Sequence, residues 1–132
     1  MALYQASYKS NSGSSNVVSG TATSAGTVSS EFTCDTGLTT ITKFIAWSLS
    51  GNTNQNTAVI IYDSALFGSD KFSTAGIQTT AAAQRPRASI GDAPTAYNSS
   101  IKSITSGVVT IKNSTNASNL FKGTVYWYAE GT

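Results

Sequence analysis

In the last third of the chain, apolar and polar residues alternate with a period of two, and turn residues cut the pattern into strand-length pieces. Val109 and Ile111 fall on one face, with Thr110 and Lys112 on the other. Further on, Val125, Trp127 and Ala129 share a face, and Tyr126 and Tyr128 occupy the opposite one. Such a period specifies sheet. Ser106-Gly107 is a two-residue connection suited to a tight hairpin between strands at 100–105 and 108–113. Helix formers are scarce, with five Leu, two Glu and one Met. Instead, 21 Ser, 19 Thr, 9 Asn and 11 Gly fill 60 of the 132 positions. Thr suits a half-buried pleated surface, while Ser, Asn and Gly form turns. The chain therefore reads as all-β, a single antiparallel β-sandwich or jelly-roll-like domain spanning residues 1–132.

The earlier segments follow the same rule less cleanly. Residues 2–9 alternate, with Ala2, Tyr4, Ala6 and Tyr8 on one face. Residues 16–23 pair as a strand that Gly20 weakens. In 27–34, Val28, Phe32 and Cys34 face in, and Asp35-Thr36-Gly37 then turns the chain. In 39–49 the apolar row Ile41, Ile45, Trp47, Leu49 is expected to face the core, broken only by Lys43, with Phe44 and Ala46 on the opposite face, part of which is expected to be covered as well. A polar loop at 50–56 leads to the apolar strand 57–62, which makes a hairpin with a long tip. From 63 to 98 the pattern is poor and reads as loops with one or two short strands, 79–84 being able to form one helical turn. The final strand covers 124–129, after a loop at 113–119.

Charge and chemistry narrow the function. Charged residues are 11% of the chain, against about 25% in an average domain. The net charge of +2 comes from eight basic residues spread along the sequence, which argues against nucleic acid as a partner. No apolar run reaches the roughly 18 residues of a membrane span, and Met1-Ala-Leu-Tyr-Gln5 carries no signal-peptide pattern, so cytoplasmic synthesis is expected. There is no His, which removes the common triads and zinc sites. Cys34 lies on an inward row and reads as a buried thiol. Asp63, Asp70 and Asp92 follow or occupy turns, and the carboxylates show no glycosidase-like pair. Sequons at Asn98, Asn113 and Asn116 are expected to stay unmodified. The chain reads as a non-enzyme with no catalytic, metal or cofactor site expected, a carboxylate-and-carbonyl calcium site in a loop being the one kind left open.

Several segments carry a family resemblance: Gly107-Val-Val-Thr-Ile-Lys-Asn113, then Asn116, then Gly123-Thr-Val-Tyr-Trp-Tyr-Ala-Glu-Gly131. Earlier come Phe32-Thr-Cys-Asp-Thr-Gly-Leu38, Lys43-Phe-Ile45 and Ile60-Ile-Tyr-Asp63. Over 28–63 and 107–131 the chain resembles small β-sandwich structural proteins of tailed bacteriophages. That resemblance implies a virion protein, a head decoration or a tail or baseplate component, acting through other virion proteins and through copies of itself. A carbohydrate-binding or host-adhesion module stands as the alternative, with a surface glycan met by loop aromatics such as Tyr97 and the polar tips at 50–56 and 113–119.

The final strand locates the expected interface. The Trp127 row has no polar residue and goes to the core, so Tyr126 and Tyr128 face outward. Large aromatics side by side on a surface mark an assembly contact. Arg85 and Arg87, in the one compact basic spot Arg85-Pro86-Arg87, are the expected rim contacts.

Overall fold

The computed structural model describes residues 15–48, 55–67, 72–78, 85–91, 99–115 and 120–132, with 55–57, 66–67, 72–78 and 85–91 described by backbone alone. The expected strand at 2–9, the loop tip 50–54, the turn at 79–84, and Leu49, Asp70, Asp92, Tyr97, Asn98 and Asn116 lie outside these residues. Among the described residues nine strands follow in order: β1 (Asn16–Ala25), β2 (Glu31–Asp35), β3 (Ile41–Ser48), β4 (Gln55–Asp63), β5 (Phe72–Gln78), β6 (Arg85–Gly91), β7 (Ser100–Thr105), β8 (Val108–Lys112) and β9 (Lys122–Gly131). A single helical turn, α1 (Ser64–Phe67), sits between β4 and β5.

The strands form two antiparallel sheets, one of six strands in the order β1-β9-β3-β4-β5-β6 and one of three in the order β2-β8-β7. The chain is an all-β sandwich. β1 pairs with β9 and β2 with β8, the nested pairing of a jelly roll, whereas β3 and β4 pair with each other as a hairpin. The small sheet packs over one face of the large one, with β2 nearest β1 and β7 nearest β5. Between them lies the core, built on Phe44, Ala46, Ile60, Val125, Trp127 and Ala129 from one side and Phe32, Cys34, Ile101, Val109 and Ile111 from the other. Phe121 closes one end, its ring 5.5 Å from that of Phe32. Full burial of side chains such as Phe44 and Ile60 contributes about 1.5–3 kcal/mol each.

The hairpin at Ser106-Gly107 forms as the sequence indicates. Both residues have positive φ, 49° and 77°, the conformation whose twist matches flanking strands. Gly107 is needed twice over, because a Cβ there would also fall 1.8 Å from the carbonyl oxygen of Leu38. The hairpin tip docks on the 35–38 turn, where the Gly107 carbonyl accepts from both the backbone N–H and the hydroxyl of Thr36.

Two expectations are corrected. Val28 is exposed, because 27–30 is a tight turn rather than a strand: Ser29 has φ 59°, and Ser30 N–H donates to Thr27 O. In β3 the faces are reversed. The register against β9 shifts between Ile41 and Lys43, and this bulge changes the parity of everything after it. Phe44, Ala46 and Ser48 are therefore buried, and Ile45 and Trp47 lie on the outer face, half-buried. In 63–98, where one or two short strands are expected, β5 and β6 form, and Arg85-Pro86-Arg87 starts β6, a sheet edge, where Pro is tolerated because one side of the strand needs no donor.

Candidate interaction face

The outer face of the large sheet, away from the small one, carries a three-by-three array set by strand register. β9, β3 and β4 align Tyr126 with Trp47 and Val59, then Tyr128 with Ile45 and Ile61, then Glu130 with Lys43 and Asp63. The first two rows are apolar and the third is charged. Tyr126 and Ile61 are each 39% exposed, and Trp47, Val59, Ile45 and Tyr128 are half-buried. Trp47 and Tyr126 stack, with ring centroids 5.9 Å apart and planes 23° apart. β1 continues the rows with Thr21 beside Tyr126 and Ser19 beside Tyr128, while on β5 the aligned positions are Ala75 and Ser73.

The charged row fixes its own ends. Lys43 Nζ lies 3.4 Å from a Glu130 carboxylate oxygen, and the Tyr128 hydroxyl donates to the other at 2.5 Å. That hydroxyl bond, and then the Lys43 ammonium, hold the Glu130 carboxyl below its ordinary range, against desolvation and the like charge of Asp63. The Tyr128 ring thus packs among apolar neighbours while its hydroxyl reaches the charged row, the division of labour usual for Tyr at a contact surface.

The other candidates take structural places. Cys34 is 1% exposed, and burial pushes its thiol up to about 12. Asp35 accepts from the Gly37 N–H and Asp63 from the Ala65 N–H, both Asx-type turn bonds. Glu31 is paired with Lys102 at 2.9 Å. Among the described residues no three His, Cys, Asp or Glu gather as metal ligands.

Tyr126 and Tyr128 both lie on the outer face, with Trp127 behind them in the core. Arg85 and Arg87 are elsewhere. β3, β4 and β5 separate β6 from β9, and Arg87 aligns through Gly76 with Ala58, a residue of the inner row. The structure does not bring the two pairs together. Two features went unread in the sequence. One is the outward place of Trp47, which the sequence puts on the core row and the bulge turns to the outer face. The other is Asn113, fully buried, whose side-chain carbonyl accepts from Phe121 N–H at 2.9 Å and Ser99 Oγ at 3.2 Å. Its amide nitrogen lies 3.0 Å from Phe121 O and from Ser30 Oγ. A polar residue just past a strand looks like loop chemistry, and nothing local signals that Phe121 will fold over it.

Compared with protein-family models, curated proteins and solved structures, the chain matches none of them.

Proposed function

We propose that the protein is a non-enzymatic structural subunit of a bacteriophage virion, a capsid-decoration or tail or baseplate component that acts through protein–protein contacts. The observation that carries the contact reading is the apolar array on the outer face, with Tyr126 and Ile61 exposed and Trp47 half-buried between them, on a chain with 11% charged residues. A domain of this size ordinarily turns such a row of aromatics inward, and a contiguous aromatic patch with a charged margin fits a docking surface. The virion assignment rests on the resemblance in 28–63 and 107–131. Mass spectrometry of purified particles of the encoding phage tests it: the chain should be present in many copies per particle, and its absence overturns the assignment.

The Trp47–Tyr126 stack favours a second reading, a carbohydrate-binding or host-adhesion module, because two nearly coplanar rings offer a platform for a sugar ring. A glycan array separates the two. Binding that is lost in Trp47→Ala supports adhesion, and a blank array leaves the protein–protein reading.

A further inference from the structure

Among the described residues the two sheets have four edge strands, β1, β6, β2 and β7. Proteins that stay monomeric blunt such edges with charge, Pro, bulges or shortness. Three of the four follow this rule. β6 contains Arg85, Pro86 and Arg87; β2 is five residues long with Glu31 and Asp35; β7 carries Lys102 and a register shift between Ile101 and Ser103. β1 has none of these devices. It runs ten residues, Asn-Val-Val-Ser-Gly-Thr-Ala-Thr-Ser-Ala, without a charge or a Pro, and pairs with β9 in unbroken register throughout. Only Ser24 among its residues is buried, and Val17 is 61% exposed. Among the described residues its backbone finds no main-chain partner other than β9.

We propose that β1 is a self-association edge: β1 of a second copy pairs with it antiparallel about a twofold axis, joining two six-stranded sheets into one. The choice of a second copy follows from the strand's chemistry. A strand paired with its own twofold mate meets its own side chains, and any charge would meet a like charge nearby. β1 has no charge to repel, in any register. Its rows, Val17-Ser19-Thr21-Thr23 and Val18-Gly20-Ala22-Ser24, hold no charged or aromatic side chain by which an edge would select a foreign strand. The net charge of +2 on 132 residues adds little repulsion between copies.

Symmetry then fixes the faces. A twofold axis that makes strands antiparallel within a sheet stands perpendicular to it, so each row stays on its own side. Val17, Ser19, Thr21 and Thr23 meet the same row of the second copy. The outer arrays of Tyr126 and Tyr128, one strand in from each β1, become parts of one surface. The inference deepens the subunit reading by naming a partner, and it stands without the virion assignment.

Sedimentation of the full chain from about 1 µM to about 1 mM tests it, together with amide hydrogen exchange. The wild type should dimerise, with slow exchange along β1 that becomes faster on dilution. Thr21→Lys with Thr23→Lys, both at exposed positions, should raise the dimer dissociation constant about tenfold or more without changing the circular dichroism. Tyr126→Ser with Tyr128→Ser should leave the dimer in place. A wild type that is monomeric throughout, a lysine variant with wild-type affinity, or β1 amides insensitive to concentration overturns the proposal. Loss of the dimer only in the tyrosine variant overturns it too, and assigns association to the outer face. The exchange measurement needs no variant, so it decides the matter even if the lysine pair fails to fold.

Discussion

Gly20 and Trp127 face each other across β1 and β9, and a Cβ on Gly20 would stand 2.4 Å from Cζ2 of the indole. The glycine that weakens β1 as a strand is the space into which the core tryptophan fits. Gly20→Ala should therefore destabilise the fold by about 1–3 kcal/mol, the usual range for overpacking, although Ala is ordinarily better than Gly in a strand. Trp127→Ala should cost about 3–5 kcal/mol. In a Trp127→Phe background the Gly20→Ala penalty should shrink, giving a coupling above about 0.5 kcal/mol in urea unfolding.

Replacing Tyr126 and Tyr128 together with Ser should leave the sandwich folded. Their side chains lie on the outer face, and the main loss is the Trp47 stack, worth about 0.5–1.5 kcal/mol. Comparing thermal unfolding with Trp127→Ala checks this. A tyrosine variant less stable than the tryptophan variant contradicts the assignment of faces.

Asn113→Ala should be among the most damaging polar substitutions. It strips Phe121 N–H and Ser99 Oγ of a buried acceptor, and Phe121 O and Ser30 Oγ of a donor. Phe121 O still accepts from the Ser24 hydroxyl and Ser30 Oγ still donates to Thr27 O, so the cost expected in denaturant unfolding is about 1–3 kcal/mol, that of a buried group left unpaired at Phe121 N–H. Glycosyltransferase should leave native Asn113 unmodified even though it heads a sequon, because the side chain is fully buried.

Cys34 should resist thiol reagents at pH 8 in the native state and react at once in guanidinium. Its folded pKa, about 12, lies above the ordinary 9.0, so the unfolded chain ionises first. The stability tied to the neutral thiol is complete below pH 9 and is lost as pH rises toward 12. Cys34→Ala should remove that part of the alkaline loss in melting curves.

Glu130 works in the opposite sense. Its folded carboxyl titrates below the unfolded value, so its stabilisation is present at neutral pH and is lost as pH falls through the acid range. Tyr128→Phe removes the largest cause of the shift and should flatten the acid limb of the melting-temperature profile, with Glu130→Gln doing so further.

Sequence alone determined what depends on neighbours within a strand or a turn. The period of two places Trp127 opposite Tyr126 and Tyr128 whatever lies around them, and Ser106-Gly107 needs only its own positive φ angles to close a hairpin. The all-β class followed from the same local preferences. Tertiary structure decided which alternating face is inside, since alternation defines two faces but does not rank them. In β3 one bulge against β9 turned Phe44 in and Trp47 out, so the interaction array was invisible to a row count. It likewise decided that Asn113 is a buried hub, that Arg85 and Arg87 belong to a remote edge, and that β1, among the described residues, has a strand neighbour on one side alone. Each depends on partners far away in sequence, whose pairing is settled by burial of the whole core and not by the residues of any one segment.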